Sequence, residues 1–111
     1  MGWDAYANTR FRRDFKEAAA LVKLKTDCVD AYLHDAGLDC SACGYFLQEA
    51  VSGQRYLPIN EWDKETVQNN YKKAKWPKVK DIHKDERWAM ESAKEFLRVC
   101  AKLNCSITFS Y

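Results

Sequence analysis

The stretch Asp85–Tyr111, DERWAMESAKEFLRVCAKLNCSITFSY, decides how the rest of the chain is read. From about Asp85 to Lys102 apolar residues recur at helical spacing. Trp88, Ser92, Phe96, Val99, Cys100 and Leu103 form one stripe, with Met90, Ala93, Leu97 and Ala101 beside it. So wide a stripe does not suit a helix covered on one side only, and it predicts the central helix of the core. Asn104 follows as a stop. The closing segment then alternates, with Ile107 and Phe109 facing one way and Ser106, Thr108 and Ser110 the other. Such a strand needs a partner. The opening Met1–Ala7 alternates in the same manner, with Trp3, Ala5 and Ala7 set against Gly2, Asp4 and Tyr6. The two ends are therefore expected to pair as an antiparallel ribbon. A ribbon of two strands is marginal in water, so it is expected to lie against the helices.

Working inward, Phe11, Phe15, Ala18, Leu21 and Val22 recur at helical spacing, and Val29, Tyr32, Leu33 and Ala36 extend the stripe to Gly37. This predicts helix over 10–36, with a break near Lys25–Asp27. Asp39 or Ser41 is expected to cap a helix from Cys40 to Val51, with Gly53 as its stop. Pro58 biases Leu57 toward extended geometry, so 54–59 reads as a loop or short edge strand. Asn60 is the expected cap of the next helix, whose inner side is Trp62, Thr66, Val67 and Tyr71 and which ends at Trp76-Pro77. Residues 77–84 read as a lysine-rich linker. The fold class predicted is a mainly α (α+β) single domain spanning 1–111. Three to four helices pack around the C-terminal helix, beside a short antiparallel ribbon of the N- and C-terminal strands.

Composition narrows the function classes. A hydrophobic content of 47% with only two prolines and four glycines argues against disorder and against a sandwich of tight turns. A net charge of +2 excludes a strongly acidic mimic of DNA. The first 20 residues contain Asp4, Arg10, Arg12, Arg13, Asp14, Lys16 and Glu17, so neither a secretory signal nor a membrane span is expected. Gly2 lacks the Ser or Thr that a myristoylation motif wants at position 6, which is Tyr6. Five cysteines without a secretory signal point to reduced thiols and a cytoplasmic protein.

Cys40-Ser41-Ala42-Cys43 is the one short motif with chemical content. Two thiols three residues apart at a helix start suit a zinc or redox site. Zinc needs two more ligands, for which Cys100 with Cys105, or His34 with Cys28, are the candidate pairs. Redox work of the thioredoxin kind wants a βαβ unit, and none is apparent. The plainer reading is that the cysteines are small buried hydrophobes, with no cofactor. His34 and His83 read as solvated histidines. Glu91 and Glu95 sit at i,i+4, as solvated helix faces commonly do. No nucleophile, phosphate-loop or metalloprotease pattern occurs, so enzymatic activity is not expected.

Two features point to partners. Lys72, Lys73, Lys75, Lys78, Lys80 and Lys84, with Trp76 among them, form the densest basic segment, and aromatics between cations can stack bases while lysines track phosphates. Asp81, Asp85 and Glu86 follow at once and weaken that reading. Trp62 and Trp76 flank a polar, lysine-rich helix. If exposed beside Lys and Tyr, they would serve as protein-contact anchors; otherwise both fold back onto the core. The candidate partner-binding residues are Tyr56, Trp62, Tyr71, Lys72, Lys75 and Trp76.

The opening Met1–Ala7, the central Leu38-Asp39-Cys40-Ser41-Ala42-Cys43-Gly44, and the closing Glu95–Ala101 and Ile107–Tyr111 resemble small uncharacterised bacteriophage and prophage proteins. The resemblance covers both ends and the middle through structural motifs. It implies a small protein acting in the cytoplasm of an infected or lysogenic bacterium, and it carries no functional residue over. By analogy with such proteins, the expected function is a non-enzymatic module that binds a host protein or complex, defence machinery included. The alternative is a nucleic-acid binder using 72–84.

Overall fold

The computed structural model describes residues 4–8, 31–34, 37–40, 44–54 and 59–110. They form a small α+β fold. In chain order the elements are β1 (Asp4–Asn8), β2 (Ala31–His34), β3 (Gly37–Cys40), α1 (Gly44–Ser52), β4 (Glu61–Trp62), α2 (Lys64–Lys73), α3 (Arg87–Lys102) and β5 (Ser106–Ser110). Two single 3-10 turns, Val79–Asp81 and Lys84–Glu86, lead from α2 into α3.

The strands make one sheet in the order β2-β3-β1-β5-β4, every neighbouring pair antiparallel. The ends of the chain do meet. Asp4 stands opposite Ser110, Ala5 opposite Phe109, Tyr6 opposite Thr108, Ala7 opposite Ile107 and Asn8 opposite Ser106. The alternation works as the pattern requires: Ala5, Ile107 and Phe109 are buried, while Tyr6 and Ser110 are exposed. On the polar face the Asn8 side chain donates to Ser106 Oγ (3.1 Å) and Thr108 Oγ1 (2.7 Å), tying the register from the outside.

The ribbon is not two-stranded, however. It is the middle of a five-stranded sheet, because β3 pairs with β1 and β4 with β5. A pair alone would leave both outer rows of backbone groups unpaired. The extra strands come from segments that read differently in the sequence. Ala31–His34 was expected at the end of a helix over 10–36, yet it pairs with Gly37–Cys40, with Leu33 opposite Leu38 and His34 opposite Gly37. A short apolar run fits helix or strand equally by periodicity, and a neighbouring strand decides it. Residues 10–30 and 35–36, the rest of that expected helix, lie outside the described residues.

The same competition shifts the helix starts. Cys40 ends β3 instead of opening a helix, and α1 begins at Gly44. Gly53 ends α1 as expected, at φ +78 with its N–H on Glu49 O (2.9 Å). Glu61–Trp62 pairs with β5, so Asn60 is not the cap of α2. Asp63 takes that role, its carboxylate accepting from Thr66 N at 2.8 Å.

The C-terminal helix is α3, and most of its wide stripe is buried. Ala89, Met90, Ala93, Phe96, Leu97, Val99, Cys100 and Ala101 are all buried, in one cluster with Phe46, Leu47, Val67, Ile107 and Phe109. Its end is a Schellman motif. Cys105 N–H bonds Cys100 O (2.9 Å), Asn104 N–H bonds Ala101 O (3.3 Å), and Asn104 takes φ 58 between them. The Gln68 side chain also donates to Ala101 O, binding α2 to this last turn.

Candidate functional site

The stripe assigned to α3 was rotated by one residue at its start. Ala89 and Met90 take the inner positions of the first turn, leaving Trp88 42% exposed rather than in the core. From there Trp88, Glu91, Glu95, Arg98 and Lys102 follow one another at spacings of three or four down the opposite side of the helix.

Beside this side of α3 runs the end of α2 and the chain that leaves it. Ala74 N–H bonds Asn70 O (2.9 Å), and Lys75 N–H bonds Ala50 O at the end of α1 (2.8 Å). Ala74 and Trp76 pack partly against the core, and Ile82 is buried. The lysine segment is therefore fastened to the body at several points, not the loose linker its composition suggests. Between it and α3 lies a cleft of about 230 Å³, lined by Tyr71, Trp76, Glu91, Lys94, Glu95 and Arg98.

The floor of this cleft is charged. Glu95 is 5% exposed and its carboxylate accepts from Arg98 Nε one turn on. That hydrogen bond raises the Arg98 guanidinium above its ordinary value, so Arg98 keeps its charge beside the Glu95 carboxyl group. Tyr71 stands at the rim, with Lys102 Nζ 5.9 Å from its ring centroid. Lys72, Lys73 and Lys75 are exposed along the same edge, followed by Lys78, Lys80 and Lys84.

Of the residues singled out in the sequence, the fold brings Tyr71 and Trp76 together in this cleft, and Lys72 and Lys75, exposed, are their chain neighbours. Trp62 is not there. It is 5% exposed and packs edge-on against Phe109, ring centroids 4.9 Å apart at 73°. The reason is the alternation of β4, which turns Glu61 outward and Trp62 onto the core. Tyr56 and Cys43 lie outside the described residues. Glu95 and Arg98 were missed as a pair. Their i,i+3 spacing was visible, but only burial distinguishes a cleft floor from a solvated helix face.

The thiols that can be placed are Cys100 and Cys105, free and buried. Burial pushes Cys100 well above the ordinary thiol value, helped by the neighbouring Cys105, and pushes Cys105 up to about 11 against a lowering influence of Lys64. Both are held in the neutral form, the opposite of a reactive thiolate. Among the described residues no group of three or more His, Cys, Asp or Glu is arranged to hold a metal ion. No helix among them is long and apolar enough to cross a membrane. Comparison with protein-family models, with curated proteins and with solved structures finds no significant match for this chain.

Proposed function

We propose that this chain is a non-enzymatic protein-binding module of the phage type, acting in the host cytoplasm on a host protein or complex, defence machinery included. The observation that carries the reading is the cleft between Trp76, Tyr71 and the outer side of α3, bordered by exposed lysines and with Trp88 at one end of the same helix side. Its volume lies below the roughly 300–1,000 Å³ of pockets that enclose small substrates and cofactors. It matches instead the recess that takes one anchoring side chain of a protein partner, and aromatic residues with arginine are the groups enriched at such anchors. The finer picture of helices gathered around a C-terminal one belongs to the same proposal: α3 supplies the floor and the other elements hold it in place.

Affinity capture from bacterial lysate, with and without nuclease, tests this. A defined protein complex retained after nuclease and lost with Lys72→Glu/Lys75→Glu supports the reading. Recovery only while nucleic acid is intact overturns it. The second reading, a nucleic-acid binder through 72–84, is favoured by the unbroken exposure of Lys72, Lys73, Lys75, Lys78, Lys80 and Lys84. It requires an affinity for DNA or RNA that falls steeply with salt in a gel-shift titration.

A further inference from the structure

The charge of this protein is unevenly placed. Residues 66–80 carry five lysines and no acidic residue, a local +5 in a chain whose net is +2, so all other residues together are net negative, −3. The five lysines are exposed, and the backbone bonds at Ala74 and Lys75 hold their segment against the body along one edge of the cleft. Across the cleft the α3 side adds Lys94, Arg98 and Lys102 against Glu91 and Glu95. With Glu95 paired to Arg98, the recess presents the Trp76 and Tyr71 rings beside Glu91 and Lys94. Two aromatic rings thus stand over a floor of largely paired charges, next to a chain segment of exposed lysines.

We propose that the cleft takes a single aromatic or branched aliphatic side chain from an acidic protein segment, whose Asp and Glu residues on either side of that anchor meet Lys72, Lys73, Lys75 and Lys94. This rests on the protein-binding reading above and specifies the partner's chemistry. Complementary charge on the border sets orientation and association rate, while the buried anchor supplies most of the affinity. Nucleic acid fits the same border less well. A base seeking an aromatic face finds Lys102 over Tyr71 and Trp76 half-buried against the core.

The test is a displayed random-peptide library panned against the intact chain at physiological salt, followed by fluorescence anisotropy with an enriched peptide. The expected result is a consensus of Asp and Glu around one aromatic or branched aliphatic residue. Replacing that residue in the peptide by Ala should weaken binding about tenfold or more. Lys72→Glu/Lys75→Glu, at exposed positions that leave the core intact, should weaken it by about tenfold and flatten its salt dependence. A consensus without acidic residues, whose binding still falls in Trp76→Ala or Tyr71→Ala, overturns this inference and leaves the protein-binding reading standing. Absence of any enriched sequence overturns the inference. If labelled single-stranded DNA then binds with a steep loss of affinity in salt, the protein-binding reading falls with it.

Discussion

Cys100 and Cys105 show how burial alone sets the chemistry of a side chain. Neither touches water, and both thiols are held above their ordinary value by desolvation. A thiol whose folded value is raised contributes fully to stability below its unfolded value, near 8.5, and that contribution is lost as pH rises through the folded value. Stability should therefore decline on the alkaline side, from about pH 8.5 toward 11 and beyond, and less steeply in Cys105→Ala once the cost of the lost packing is subtracted. In a background with Cys28, Cys40 and Cys43 changed to Ser, an aromatic disulfide reagent at pH 8 should modify Cys100 and Cys105 only at the rate of unfolding. Fast modification of either in the folded protein would contradict the burial described here. Glu95 makes a related point: a carboxyl group more than nine-tenths removed from water has Arg98 as its ion-pair partner one turn away.

At the scale of elements, the ends of α2 and α3 are where single residues decide the geometry. The Asp63 carboxylate is held below its ordinary value by the Thr66 hydroxyl and, secondly, by the Thr66 N–H. Because the folded value is depressed, the stabilisation is present above the unfolded value of 3.8 and is lost as pH falls through the folded one. Asn caps a helix nearly as well without titrating. The melting temperature of the wild-type protein should consequently fall relative to Asp63→Asn as pH drops below about 3.8, a comparison made by thermal circular dichroism. At the other end of the helical region, Asn104 sits at φ 58 in the Schellman turn that aims β5 back toward β1. Asn104→Gly should be close to neutral, and Asn104→Ala should cost about 1 kcal/mol in urea unfolding, since a Cβ without a local hydrogen-bonding group is disfavoured there.

For the whole molecule, the test of the architecture is the contrast between two tryptophans. Trp62 is locked between the edge of the sheet and Phe109, whereas Trp88 stands on the outer side of α3. Trp62→Ala should lower the unfolding free energy by about 3–5 kcal/mol, the usual cost of emptying a large aromatic site in a core. Trp88→Ala should change it by no more than about 0.5 kcal/mol. Equal effects at the two positions would mean that the sheet edge and the face of α3 are not as described. Chemical denaturation followed by circular dichroism separates the cases without relying on tryptophan emission.

By itself, the sequence determined what depends on residues close together in the chain. The 3.6-residue periodicity of Arg87–Lys102, the stops at Gly53 and Asn104, and the alternation of Ala5, Ile107 and Phe109 against their polar neighbours were all readable, because propensity, capping and side-chain alternation are local properties. Tertiary structure decided the rest. Gly37–Cys40 and Glu61–Trp62 are strands because β1 and β5, far away in sequence, present unpaired backbone groups to them, and Ala31–His34 adds to Gly37–Cys40 in turn. Which tryptophan is covered depends on the element lying over it: Trp88, read as part of the core stripe, is exposed, and Trp62, for which the sequence left both outcomes open, is buried. The cleft lies where the chain leaving α2, held by the Lys75–Ala50 hydrogen bond, sets Trp76 beside Glu95 and Arg98 of α3. A meeting of residues from separate elements is a property of packing, and no local pattern encodes it.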